Sequence, residues 1–342
     1  MRLLVIRSSA MGDVALVTPV LREMKRQFPE VEVVLMTRSA FKPFFPQSDQ
    51  ISIFTPDFKK RHKGIPGLIR LYFDLTRQGK IDYVIDIHDV LRSKILRFLF
   101  RLGGTPVSVI DKGRREKRDL INGKSKAQLK HTVERYCDAF RVAGFMLEPS
   151  DKKNIFPDSE SLEKISEKFT HRTTLVIGVA PYAKHKLKMW PEENMMQLMN
   201  MISKVHSTTF FLFGGIEDSQ KLDDVSNKIP GSVNLAGKIS LAEELAIMSR
   251  LDFMIAMDSS NMHMAALVGT RVISIWGGTD PLNGFGAWKQ PDEYALRIPV
   301  TELTCRPCTI FGKGECKRGD FACMNWLTPE IIFQKLIDLK II

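Results

Sequence analysis

The chain has 342 residues, 44% of them apolar and 26% charged, and its 50 Lys and Arg against 39 Asp and Glu give a net charge of +11. Length and composition are those of a globular protein with room for two domains. No run approaches the roughly 20 apolar residues of a transmembrane helix, and the opening "MRLLVIRSSAMGD" lacks the long apolar core and small-residue cleavage site of a signal peptide. It reads as a first strand, which predicts a cytosolic protein whose five cysteines are mostly reduced. The positive surplus favours anionic partners: nucleic acid, phosphorylated sugars or an acidic membrane surface. A surplus spread over a whole chain also serves solubility alone.

In chain order, "RLLVI" is a strand followed by a helical pattern over 14–27 with Pro19 inside it. "EVEVVLMT" and Ile51–Phe54 are strands, 65–78 a helix, "DYVIDIH" a strand, 91–100 a helix and "PVSVI" a strand. These apolar runs are short and rich in Val and Ile, as strands covered on both faces should be. Their alternation with helices predicts a parallel sheet with helices on both sides. Residues 112–118, "KGRREKR", predict an exposed loop, after which a helix resumes near Thr132–Val142 with Gly144 capping it.

"MLEPSDKKNIFPDSES" reads as a linker. A helix over 160–169 leads into the strands "TTLVIGVAP", "TTFFLFGG", "DFMIAMDSS" and "TRVISIWGG", with a helix near 243–249, so the second half repeats the architecture of the first. Thr328, Pro329 and Glu330 open a final helix.

In doubly wound domains ligands bind beyond the carboxyl ends of the strands, and each candidate motif lies just after one. "SSAMGD" puts Ser9, Met11, Gly12 and Asp13 at the first such end. A carboxylate there either stabilises the helix dipole or does chemistry. Lys184, Lys186 and Lys188 follow the first strand of the second half and can neutralise phosphate oxygens, or form a basic surface loop. "FLFGGIED" offers a glycine turn at Gly215 and Glu217 as an acceptor for ribose hydroxyls. "LAGKISLAEELAIM" adds Gly237 and a helix able to wall an adenine. "MDSSNMHMAAL" ends a strand at Asp258 and opens a helix on Ser259, Ser260 and Asn261, with His263 in its first turn. Free backbone N–H groups there suit a diphosphate, although an ordinary capped helix fits too.

Together these stretches resemble a known family. "SSAMGDVALVTPVL", "KMWP", "FGGIED", "LAGKISL", "DSSNMH" and "WGGTDP" occur in the order found in the ADP-heptose:lipopolysaccharide heptosyltransferases, glycosyltransferase family 9, and the resemblance spans nearly the whole chain. It implies the GT-B fold, two Rossmann-like doubly wound α/β domains facing across a cleft. Residues 1–155 would bind the acceptor, 156–327 the nucleotide sugar, and 328–342 would form a helix crossing back to the first domain. Asp13 matches the catalytic-base position, where a carboxylate takes the acceptor hydroxyl's proton as that oxygen attacks the anomeric carbon. The resemblance also implies donor contacts from Ser9, Met11 and Gly12, diphosphate binding by Lys188, and nucleoside contacts at Gly215, Glu217, Gly237 and Met248. Asp258, Ser259 and His263 would face the donor sugar. Ser260 departs from the family's usual glycine, which puts heptose in doubt more than the fold.

The implied activity is inverting transfer of a sugar, heptose by resemblance, from ADP-heptose to a lipopolysaccharide inner-core or other anionic glycolipid acceptor. Lysines and helix N–H groups can stabilise the leaving diphosphate without a metal. A peripheral location on the inner face of the cytoplasmic membrane follows. The basic stretches Lys59, Lys60, Arg61 and Arg114, Arg115, Lys117, Arg118, both expected in the first domain, can grip phosphorylated sugars or an anionic leaflet, or be solvated faces. "FKPFF" at 41–45 can supply apolar contact to lipid, whereas "LYF" at 71–73 reads better as core. Cys305, Cys308, Cys316 and Cys323 fall within nineteen residues and can form a structural zinc site, although the loop around them also reads as a plain excursion. Two alternatives stay open: the same fold with another nucleotide sugar or glycan acceptor, and a non-catalytic nucleotide-sugar or nucleic-acid binding protein. The lack of an RNA-binding signature counts against nucleic acid.

Overall fold

The computed structural model describes residues 1–45, 48–169 and 174–342. The chain divides into two units, Met1–Gly113 with Lys130–Ile155 and Arg114–Leu129 with Phe156–Ile342.

The first unit begins with β1 (Arg2–Ile6), whose Leu3, Leu4, Val5 and Ile6 are all buried. A strand with no polar face must be covered on both sides. The helical pattern that follows is split into α1 (Met11–Ala15) and α2 (Thr18–Gln27). The break has a cause in Pro19, which has no N–H to give and whose ring would meet the carbonyl one turn back. The helix therefore restarts with the proline in its first turn, where its missing donor costs nothing. Then come β2 (Glu32–Met36), β3 (Ile51–Phe54), α3 (Gly64–Arg77), β4 (Tyr83–Asp86), α4 (Leu91–Leu102) and β5 (Val107–Val109). The sheet is parallel throughout, in the order β3-β2-β1-β4-β5. Ile6 is level with Met36 on one side and Asp86 on the other, so the residues after these three strands emerge along one edge. Helices α3 and α4 pack on the sheet through Leu68, Leu71 and Leu75 and through Leu96 and Phe100, with Phe100 edge-on to Tyr72 at 4.9 Å.

Two expectations are reversed here. Phe41, Phe44 and Phe45 of "FKPFF" are buried, while in "LYF" only Leu71 is core and Phe73 is exposed. Of residues 112–118, only Lys112 and Gly113 are loop, because α5 (Arg114–Ile121) takes up the rest as a helix. Only Leu120 of α5 is buried, too little apolar content to show a helical period in the sequence. Nor does this segment belong to the first unit. Leu129 donates its backbone N–H to Leu282 at 2.9 Å, and the Gln128 amide reaches the Pro281 carbonyl at 3.1 Å. The chain returns to the first unit for α6 (Thr132–Val142).

The second unit runs from α7 (Ser159–Lys164) through β6 (Leu175–Ala180), α8 (Glu192–Val205), β7 (Thr208–Leu212), α9 (Ser219–Lys228), β8 (Ser232–Asn234), α10 (Leu241–Met248), β9 (Phe253–Met257), α11 (Ser260–Leu267), β10 (Arg271–Ile275), β11 (Ala295–Leu296) and α12 (Ala322–Asn325) to α13 (Pro329–Asp338). Its parallel sheet has the order β11-β10-β9-β6-β7-β8. Residues 170–173, including the first residue of "TTLVIGVAP", lie outside the described residues. Thr328 caps α13 by accepting the Ile331 N–H. Ile332 and Leu336 of α13 enter the same core as Leu198 and Ile202 of α8. Among the described residues no helix is long and apolar enough to cross a membrane.

Phe100 has no exposed surface. Phe100→Ala is expected to destabilise the first unit by about 3–5 kcal/mol, read as a fall in the urea midpoint; a loss below 1 kcal/mol would contradict this packing.

Candidate active site

The carboxyl edge of the first sheet gathers charge around Asp13. Arg7 leaves β1 and is almost fully buried. One arm of its guanidinium donates to the Ile87 carbonyl at 2.7 Å, and another meets the Asp13 carboxylate at 2.6 Å. Tyr136 of α6 lies beneath the same guanidinium, 5.6 Å from ring centre to central carbon, and donates its hydroxyl to the Asp13 carbonyl at 3.1 Å. Burial pushes the Tyr136 phenol far up, so it remains a donor. Asp13 is thus held at both backbone and side chain, and its side chain keeps 27% exposure, enough to meet a substrate. Ser9 precedes this helix and Met11 and Gly12 form its first turn, so all three sit beside Asp13 in the first unit.

His88, just past β4, was read in the sequence only as the tail of a strand. Its two ring nitrogens lie 3.3 Å from the Ser8 hydroxyl and 3.2 Å from the Ser9 hydroxyl, and its backbone N–H is fixed by Asp86 at 2.9 Å. Asp86 is in turn paired with Arg97 at 2.8 Å. Burial first, and then the charges of Arg7 and Lys112, lower the His88 pKa to about 4, against a smaller opposing effect of Asp13. A neutral imidazole between two hydroxyls can donate to one and accept from the other, pinning the loop that leads into Asp13. A lone histidine in "DIHD" gives no sequence signal of this, because its partners are 79 and 80 residues away.

The second unit builds a separate cluster. A single turn at Lys186–Lys188 leaves Lys184 and Lys186 exposed but turns Lys188 inward, where its ammonium meets the Asp258 carboxylate at 2.8 Å. Trp190 anchors this turn by donating its indole N–H to the Leu327 carbonyl at 2.8 Å. Asp258 follows β9 and is buried, and Thr279 donates to the same carboxylate oxygen at 2.8 Å. The other Asp258 oxygen and the Ser259 hydroxyl are buried with no hydrogen-bond partner among the described residues. Such groups cost free energy unless something arrives to satisfy them, and sugar hydroxyls, which both donate and accept, would. Ser260 opens α11, and His263 is buried one turn on with Phe285 edge-on at 4.3 Å.

Two further loops meet beside one another. Gly237 has φ +69°, and a side chain there would strike Ile216 at 2.9 Å, so the "LAGK" and "GGIED" turns touch because Gly237 has none. The Glu217 carboxylate folds back over Gly215, leaving no room for a Cβ at that position. Met248 has no exposed surface and its carbonyl accepts from Thr270, so it is core with no open surface behind a nucleoside contact. On the same helix, burial pushes the Glu244 carboxyl up to about 7.

The cysteine segment does something the sequence did not show. Among the described residues no three His, Cys, Asp or Glu side chains are grouped so as to hold a metal ion, Cys305, Cys308, Cys316 and Cys323 included. Burial pushes the Cys323 thiol up to about 11 and Cys308 upward as well. The residue between the first two is what matters. Arg306 is buried and donates to the carbonyls of Gly277 at 2.6 Å, Thr279 at 3.0 Å and Ile298, and it pairs with Asp280 at 3.3 Å. Its fork replaces solvent for the turn after β10, the turn that brings Thr279 to Asp258. Gly312, at φ +79°, lies against the Lys188 stem, where a Cβ would come within 2.7 Å of it. The segment is therefore a wall of the Lys188–Asp258 cluster.

Of the basic residues, Lys59 and Lys60 form a turn on Asp57, and Arg61 makes a two-pronged pair with Asp74 at 2.6 and 2.7 Å. Arg114, Arg115, Lys117 and Arg118 lie on α5 and so fall in the other unit.

Two outcomes test this geometry. Between pH 6.5 and 4 the unfolded chain binds a proton at His88 that the folded chain refuses. Its contribution to stability is thus complete above 6.5 and lost as pH falls towards 4. His88→Gln should flatten that part of the stability profile, and an imidazole NMR titration midpoint near 6.5 would contradict the assignment. Arg306→Met strands several buried carbonyls and leaves Asp280 only the more distant Arg297, 3.7 Å away, for a cation, and is expected to cost about 3–5 kcal/mol in chemical denaturation.

The family model described as glycosyltransferase family 9 (heptosyltransferase) matches residues 72–308. Over 99% of both chains the sequence is 22% identical to lipooligosaccharide heptosyltransferase 2 of Haemophilus influenzae. The fold is similar to that of a family 9 glycosyl transferase from Veillonella parvula (TM-score 0.76, 20% identity, 99% of this chain and 96% of that one). It is also similar to that of the E. coli heptosyltransferase WaaC with ADP-2-deoxy-2-fluoro heptose (TM-score 0.67, 16% identity, 99% and 100%). The two parallel-sheet units are those of the GT-B class, and the match covers well over half of the chain. The chain belongs to glycosyltransferase family 9, the heptosyltransferases.

Proposed function

We propose that this glycosyltransferase moves heptose from ADP-heptose, with inversion, onto a hydroxyl of a phosphorylated, lipid-anchored lipopolysaccharide core acceptor at the inner face of the cytoplasmic membrane. The observation that carries this reading is the Lys188–Asp258 pair, with one Asp258 oxygen and the Ser259 hydroxyl buried and unpartnered beside it. The donor assignment is supported by the fluoro-heptose nucleotide bound to the E. coli relative.

Asp13 acts as the base. As the acceptor oxygen forms its bond to the anomeric carbon, its proton passes to the Asp13 carboxylate and the bond from that carbon to the diphosphate breaks. Arg7 and Tyr136 hold the carboxylate for that transfer, so little reorganisation is needed when the proton moves. Lys188 and the N–H groups opening α11 neutralise the ADP that departs, and no metal is needed for that step. Asp258 orients Lys188 and accepts from the sugar. Glu217 and the turn at Gly237 contact the ribose and base. Ser260, where the family usually carries glycine, favours a second reading in which the fold and mechanism stand but the donor sugar differs.

Asp13→Asn should lower the turnover number by about 10²–10⁴-fold while leaving ADP affinity within a few-fold. Lys188→Met should weaken ADP binding by about tenfold or more. Turnover that survives in Asp13→Asn overturns the base. Binding of GDP- or UDP-sugars in preference to ADP-heptose, measured by native mass spectrometry, replaces the first reading with the second.

A further inference from the structure

Helices α3 and α4 carry apolar residues on two faces. One face of each is buried in the first unit's core, as described above. The other is open: Leu91 and Leu102 are 73% and 70% exposed and Phe98 is 59% exposed on α4, with Ile65, Ile69 and Phe73 exposed on α3. Positions 91, 98 and 102 lie seven and four residues apart, which on a helix makes one stripe, and it runs opposite the Leu96–Phe100 side. Positions 65, 69 and 73 make a second stripe on the helix packed beside it. Scattered exposed leucines need no explanation, but six large apolar side chains on two neighbouring helices do.

The surrounding charge identifies the occupant. From Lys59 to Leu102 the sequence has eleven Lys and Arg and four Asp. That surplus makes up most of the chain's +11. Within α4, "LRSKILRFLFRL" contains no acid at all. The one acid of α3, Asp74, is already paired with Arg61 and hydrogen-bonded to His62. Exposed apolar stripes flanked only by cations match a bilayer bearing anionic headgroups, where apolar side chains enter the acyl boundary and cations stay with the phosphates. Beneath the helix pair, on its buried face, a small cavity is lined by Leu68, Leu71 and Leu96 together with Phe58, Ser8 and His88.

We infer that α3 and α4 form the surface by which the enzyme docks on an anionic membrane that carries its lipid-anchored acceptor. This rests on the proposed lipid-anchored acceptor and adds the surface that meets the lipid.

The test is co-sedimentation of the full chain with vesicles of phosphatidylcholine alone or with one-third phosphatidylglycerol. Leu91→Ser/Phe98→Ser/Leu102→Ser is compared with the wild type, together with the single change Leu102→Glu at the open end of α4 in case the triple variant folds poorly. Wild type should sediment with the anionic vesicles only and be released as salt rises from 0.1 to 0.5 M. Both variants should partition about tenfold less while keeping wild-type ADP affinity by calorimetry. Equal binding to neutral vesicles, or variants that bind as wild type does, overturns the proposal. So does a wild type that ignores vesicles but forms a dimer that the variants abolish, which would assign the stripe to a second copy of the chain. Failure to bind ADP in any form of the protein would instead count against the proposed function, whatever the vesicles show.

Discussion

A strand buried on both faces can carry chemistry only at its ends. That constraint organises this protein. β1 spends every side chain after Arg2 on the core, and so do β9 and most of β10. Polar groups are therefore driven to the carboxyl edge, where the chain turns into a helix and backbone donors are free. Both units obey it. One edge collects Arg7, Ser8, Ser9, Asp13 and His88, and the other collects Lys188, Asp258, Ser259 and Thr279. The register of the parallel strands keeps each group level, so residues that follow β1 and β4 meet at one edge, and residues that follow β6, β9 and β10 meet at the other, although these stretches are far apart in sequence.

The two edges differ in how their buried charge is balanced. At Asp13 the charges are paired: Arg7 is shared among a carboxylate, a carbonyl and an aromatic face, with its Nε left without a hydrogen-bond partner among the described residues, and neutral His88 fills the gap between two hydroxyls. Such a site is rigid and keeps one reactive group partly open. At Asp258 the balance is incomplete, with one carboxylate oxygen and one hydroxyl lacking hydrogen-bond partners among the described residues. A buried deficit of this kind is tolerated where a ligand supplies the missing bonds. A base fixed in advance and a binding site that gains its last partners from the nucleotide sugar fit the two tasks of an inverting transferase. Arg306 belongs to the second site's frame, because its fork is what stabilises the turn carrying Thr279.

The two-domain α/β architecture was legible in the sequence because buried parallel strands leave runs such as "LLVI" and "MIAM" that little else explains. Asp13, Lys188 and Asp258 were legible because each stands in a short motif directly after such a run. Less visible were features decided by distant contacts. Residues 112–118 read as a loop because α5 buries only Leu120, and its place in the second unit depends on backbone bonds to Pro281 and Leu282. His88 and Arg306 gave no local signal, since the partners of His88 are some 80 residues away and those of Arg306 are chiefly carbonyls. The cysteines drew attention to their loop for a metal, yet it is Arg306 between them that ties the loop to the site. Phe73 and the phenylalanines at 41–45 exchanged their expected places because apolar content alone does not say which face of an element is covered.

The mechanism proposed above rests on one carboxylate acting as a base, with the acceptor oxygen attacking the anomeric carbon from the side opposite the departing diphosphate. The configuration at that carbon reports it most directly. The NMR one-bond carbon–proton coupling at the transferred sugar's anomeric centre, compared between donor and product, should show inversion. Retention would require a covalent or front-face route that a single base at Asp13 cannot provide, and would contradict the account.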